Sequence, residues 1–65
     1  MWTVVYMAPN SEMSNKIREA LEEHGILVKI KTIGKDSEGR AGGYELLVPI
    51  AEVEQAHNII IDIEF

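Results

Sequence analysis

The residues with the clearest chemical potential lie in a glycine-rich segment, Gly34 to Gly43, which contains four of the five glycines. Its Lys35 and Arg40 could contact an anionic ligand. A phosphate-binding loop, however, places its Lys and Ser/Thr at the start of a helix, where backbone N–H groups meet the anion. Here a strand pattern follows instead. The segment therefore predicts a long hairpin loop, with Lys35 and Arg40 as candidate anion contacts.

The other residue types that do chemistry are scattered. His24 and His57 are the only histidines, and they fall in different helical patterns with no second ligand at metal-binding spacing. No serine has a base within a recognisable pattern. The sequence therefore predicts no catalytic, cofactor-binding or metal-binding residues, and a minor enzyme is the least favoured function.

Length and composition limit the class of protein. The chain has 65 residues and no cysteine, which excludes disulfides and thiolate zinc sites within it. One domain of this size buries only about 60% of the surface that its unfolded chain exposes. A single domain spanning residues 1–65 is therefore expected to gain stability by pairing, and we predict a homodimer or an unidentified protein partner.

Charge and hydropathy narrow the partners further. The formal net charge of −5 repels nucleic acid and anionic membrane surfaces. The apolar run Met1 to Met7 has no basic residues before it and is far shorter than the roughly 20 residues that span a bilayer. The expected location is the cytoplasm.

The first half of the chain predicts a strand and a helix. Two apolar faces alternate in the strand, Trp2/Val4/Tyr6 and Thr3/Val5/Met7, so the pattern leaves the buried face undecided, with a preference for the first set. Asn10 or Ser11 then caps a helix that ends near His24, with Gly25 in the left-handed conformation after it. Its predicted apolar stripe comprises Met13, Ile17, Ala20, Leu21 and His24.

The second half predicts two strands and a second helix. Residues 26–33 form a strand that alternates from Val28 on, with Lys29 and Lys31 on a solvated face. Residues 44–48, between a glycine pair and Pro49, form a buried central strand. The following helix covers residues 51–60, with Val53, Ala56, His57 and Ile60 on its inner stripe. Residues 61–65 fit either a helix end or a fourth strand.

The order β-α-β-β-α, with or without a final β, indicates an α+β fold of the ferredoxin-like, split β-α-β type. It predicts a three- or four-stranded antiparallel or mixed sheet with both helices on one face. We expect the first and third strands to be adjacent and parallel, with the second antiparallel to the third. The uncovered face would then expose whichever of Val5, Met7 and Leu47 point away from the helices, as a possible interface.

Several segments resemble one family of very short bacterial proteins, described as prokaryotic signal-transducing proteins of unknown function. They are Tyr6-Met7-Ala8-Pro9-Asn10, Leu21-Glu22-Glu23-His24-Gly25-Ile26, and Glu45-Leu46-Leu47-Val48-Pro49 with the acidic helix after it. The resemblance implies the same β-α-β-β-α layout and a role in regulation or binding, without catalytic residues.

The expected function is a small cytoplasmic regulatory or interaction module, homodimeric through the uncovered sheet face or a strand edge. The alternative is a regulatory domain that senses a small molecule at a dimer seam near the loops.

Overall fold

The computed structural model describes residues 1–34 and 42–64. Three strands and two helices follow one another in the predicted order, and they are β1 (Trp2–Ala8), α1 (Ser11–Glu23), β2 (Lys29–Thr32), β3 (Tyr44–Pro49) and α2 (Val53–Glu64), with a 3-10 turn at Ile50–Glu52 before the last helix. The strands form one sheet in the order β1-β3-β2. The α+β fold of ferredoxin-like type is thus confirmed, with β3 at its centre.

The predicted parallel pairing of the first and third strands is wrong. Both β1 and β2 are antiparallel to β3. The reason lies in the connections: α1 returns the chain so that β2 starts at the same end of the sheet as β1, and the hairpin then reverses the direction of β3. The two parallel strands, β1 and β2, are therefore the two that do not touch.

The ends of α1 follow the predicted signals. Oδ1 of Asn10 accepts a hydrogen bond of 2.9 Å from the backbone N–H of Met13, as an N-cap does. Gly25 has φ of +79°, and the N–H of Ile26 donates to the carbonyl of Leu21, which closes a Schellman-type C-cap. Ile26 is buried as part of this cap, and β2 begins only at Lys29, so it is shorter than predicted.

The last segment is helical. α2 continues to Glu64. Of the two conformations that the sequence left open for residues 61–65, residues 61–64 therefore adopt the helical one. Within the described residues, no fourth strand pairs with the outer edge of β1.

The core lies between the sheet and the two helices. The helices pack on β1 and β3, whereas every residue of β2 is exposed. Two side chains predicted on inner helical stripes, His24 and His57, are also exposed; Nδ1 of His24 lies 2.9 Å from the carbonyl oxygen of Ala20. The buried apolar residues are Ala8, Ile17, Leu21, Ile26, Leu46, Val48, Ala56, Ile59 and Ile60.

Candidate interaction surface

Alternation along β3 separates the two faces of the sheet. Leu46 and Val48 are completely buried beneath the helices, so Glu45 and Leu47 must point to the opposite side. Residues directly across an antiparallel ladder share a face, and the register extends this side to the neighbouring strands. We call it the open face; it comprises Trp2, Val4 and Met7 of β1, Lys29 and Lys31 of β2, and Glu45 and Leu47 of β3.

A β-bulge in β1 determines which of its residues reach the open face. Val4 pairs with Leu47, but the next pair joins Tyr6 to Leu46, so Val5 is an additional residue without a partner in the ladder. The bulge reverses the alternation within the strand. Trp2 and Val4 therefore point away from the helices, whereas Tyr6 points toward them.

The structure matches neither of the two sets of residues that the sequence predicted to share a face of β1. The preferred inward set, Trp2/Val4/Tyr6, is correct for Tyr6 and wrong for the other two residues. A period-2 pattern cannot reveal a bulge when every residue around it is apolar or aromatic, because both faces remain apolar on either side of it.

The three residues named from the sequence as a possible interface are placed differently. Met7 is 62% exposed and lies on the open face. Leu47 lies on the same face, half-buried and paired with Val4 and Lys29. Val5 instead packs against the core, so it cannot contribute to a surface on the open side. The sequence did not identify Trp2 and Val4, which take its place there.

Trp2 and Lys29 interact across the open face. The ammonium nitrogen of Lys29 lies 4.3 Å from the centroid of the Trp2 ring, within the range of a cation–π contact. Because the two residues belong to opposite edge strands, the contact joins β1 and β2 across β3. The predicted solvated face of Lys29 and Lys31 is confirmed, since both are exposed.

Charge is divided unequally between the two sides of the molecule. The segments that form the helix layer, residues 11–23 and 50–63, contain seven carboxylates and two cationic side chains. The open face contains two lysines and one glutamate. The formal charge of these helix-layer segments is therefore −5 and that of the open face +1, so the net negative charge of the chain does not extend to the open face.

Other candidate features add no site. Lys35 and Arg40, the candidate anion contacts, lie outside the described residues. Among residues 1–34 and 42–64, no group of three His, Asp or Glu side chains is arranged to hold a metal ion. Within the same ranges neither helix combines the length and hydropathy needed to cross a bilayer.

Comparisons with family models, with curated proteins and with solved structures found no match to this chain. The resemblance to a signal-transducing family therefore stays a prediction, and the surface has to be interpreted from its own chemistry.

Proposed function

We propose that this chain is a small cytoplasmic regulatory or interaction module that binds another polypeptide through its open face. The observation that supports this proposal is the one-sided sheet: both helices cover the same side, and Met7, Val4 and Leu47 leave apolar surface on the other. When one side of a sheet is already buried, covering the apolar surface of the other side lowers the free energy further.

Self-association is the form of this proposal that chain length favours. A domain of 65 residues without disulfides has a thin core, and pairing is a common way to supplement it. A second copy could cover the open face or extend the sheet at the outer edge of β1. The bulge at Val5 interrupts the regular spacing of backbone donors and acceptors along that edge, which favours the face.

The test measures the mass of the protein in solution from about 1 to several hundred µM, a range that brackets weak association. In parallel, wild type and the variant Met7→Glu are used as bait in extract of the native cell. We expect a concentration-dependent dimer, or a specific partner, that is lost in Met7→Glu while the urea midpoint of the variant stays unchanged.

Ile61→Glu is the matched control, because Ile61 is an exposed apolar residue of α2 with 53% of its surface accessible. It places the same charge on the opposite side of the molecule and should leave association intact. A monomer throughout the range, with no bound protein that distinguishes Met7→Glu from Ile61→Glu, would contradict the proposal.

A further inference from the structure

The distribution of polar groups on the open face is asymmetric. One margin, formed by β1, presents the apolar side chains of Trp2, Val4 and Met7. The other margin, formed by β2, carries Lys29 and Lys31, and the ammonium group of Lys29 reaches from there to the ring of Trp2. Leu47 and Glu45 of β3 lie between them. A complementary partner would therefore be apolar along one side and acidic along the other.

The dimensions of the face limit what can cover it. Strands lie about 4.8 Å apart and rise about 3.3 Å per residue, so three strands of which the longest has seven residues offer a face about 14 Å wide and at most about 23 Å long. The area of such a face is well below the roughly 800 Å² that each partner contributes to a standard interface. One α-helix, about 10 Å across with its side chains, fills such a width.

Chain length favours a second copy as the partner, but the charges of the open face favour a different one. Two open faces packed on each other would bring together four lysines and two glutamates, and burial of ammonium groups without enough carboxylates costs free energy. An acidic helix neutralises them. It would also complete a helix-sheet-helix arrangement, which is the usual way to cover both faces of a sheet.

We propose that the open face binds an amphipathic helix of another protein, with its apolar stripe on Trp2, Met7 and Leu47 and its acidic flank over Lys29 and Lys31. This inference rests on the proposed function and specifies the partner. Lys29 already covers the ring of Trp2; a carboxylate that attracts this ammonium group frees the indole for contact with the incoming apolar stripe.

The probe is a synthetic helix of about 15 residues, cross-linked to hold its conformation because isolated helices of this length are marginal. It has leucines at i, i+4, i+7 and i+11 and glutamates along one flank; a second peptide carries lysines in place of the glutamates. Trp2 is the only tryptophan, so its emission reports binding directly. We expect the acidic peptide to bind about tenfold more tightly than the lysine peptide at low salt, as two exposed ion pairs with Lys29 and Lys31 allow.

Variants locate the effect. Lys31→Glu should reverse the preference between the two peptides, and Met7→Glu should abolish binding of both. Lys16→Glu makes the same charge change on the exposed surface of α1 and should leave the preference as it is. Equal binding of the two peptides, or an acidic preference that survives Lys31→Glu, would overturn the inference.

Failure of this inference and failure of the proposed function give different results. If neither peptide changes Trp2 emission but the protein forms a dimer that Met7→Glu dissociates, the open face binds a second copy: the helix inference is wrong and the proposed function stands. If there is neither peptide binding nor a partner that Met7→Glu removes, both are wrong.

Discussion

Leu46 and Leu47 are consecutive residues of β3 with the same side chain, and they face opposite environments. Leu46 is completely buried under the two helices, whereas Leu47 lies half-exposed among the residues of the open face. Their chemistry is the same, so the difference comes only from the side of the strand on which each residue stands. In a one-sided sheet this position decides whether an apolar residue supports folding or is available for recognition.

The largest expected effect is the loss of stability on substitution of Leu46, the buried residue of this pair. Leu46→Ala should lower the free energy of unfolding by about 2 to 5 kcal/mol, since it removes packing and leaves a cavity. Leu47→Ala should cost about 1 kcal/mol or less, because its side chain is only half-buried. Urea denaturation followed by far-UV circular dichroism measures both.

Since a domain of this size has only about 3 to 10 kcal/mol of stability in total, Leu46→Ala can leave the chain unfolded. Leu46→Val is the milder variant, and it should still destabilise more than Leu47→Val does. Equal losses at the two positions would mean that the sides of β3 are not distinct.

The next effect tests the bulge. Val5→Glu should lower the free energy of unfolding by about 1 to 3 kcal/mol, because it places a carboxylate against the core with which Val5 packs. Met7→Glu should leave stability nearly unchanged, since Met7 is mostly exposed. Thermal melts of both variants make the comparison; similar effects of the two substitutions would show that β1 alternates without interruption, because residues 5 and 7 would then share a face.

A third variant is a control, because it lowers stability without changing a residue on either face of the sheet. Gly25→Ala should cost about 1 kcal/mol, because alanine is strained at the φ of +79° that the helix C-cap requires. An added Cβ meets no atom within 4 Å, so the cost comes from the backbone alone. Binding of the acidic peptide to Gly25→Ala should match wild type; weaker binding would mean that general destabilisation, rather than the open face, governs the assay.

The smallest expected effect concerns the contact across the open face. Lys29→Met should remove less than about 1 kcal/mol of stability while shifting the emission of Trp2, because the ammonium group leaves its ring. Lys31→Met is the matched control on the same strand and should leave the emission unchanged. Identical spectra for Lys29→Met and wild type would show that the cation–π contact is absent in solution.

The sequence predicted those parts of the fold that local chemistry encodes. Asn10 and Gly25 mark the ends of α1 because a cap side chain and a left-handed residue are needed there, and Pro49 ends β3 for a comparable local reason. The periodicity of the second helix predicted the burial of Ala56 and Ile60 but also that of His57, which is exposed.

The candidate site was less accessible to prediction. The exposure of Lys29 follows from alternation with apolar neighbours, whereas the position of Trp2 depends on a bulge defined by pairing with a strand about 40 residues away. The strand directions were mispredicted for a related reason: they depend on how all three strands connect. Long-range pairing of this kind leaves no mark within a short window of sequence.

The bulge at Val5 also limits how the gene encoding this chain can change in length. Loss of the Thr3 codon would shift the part of β1 that precedes the bulge by one residue. An indole or a valine would then move from the open face to the side that packs against the helices. Loss of Val5 itself would instead leave a regular ladder, with each remaining side chain on its present side. Because Val4 and Val5 are the same residue, loss of either codon gives the same chain, and codon-by-codon deletion through β1 should be tolerated only at this pair.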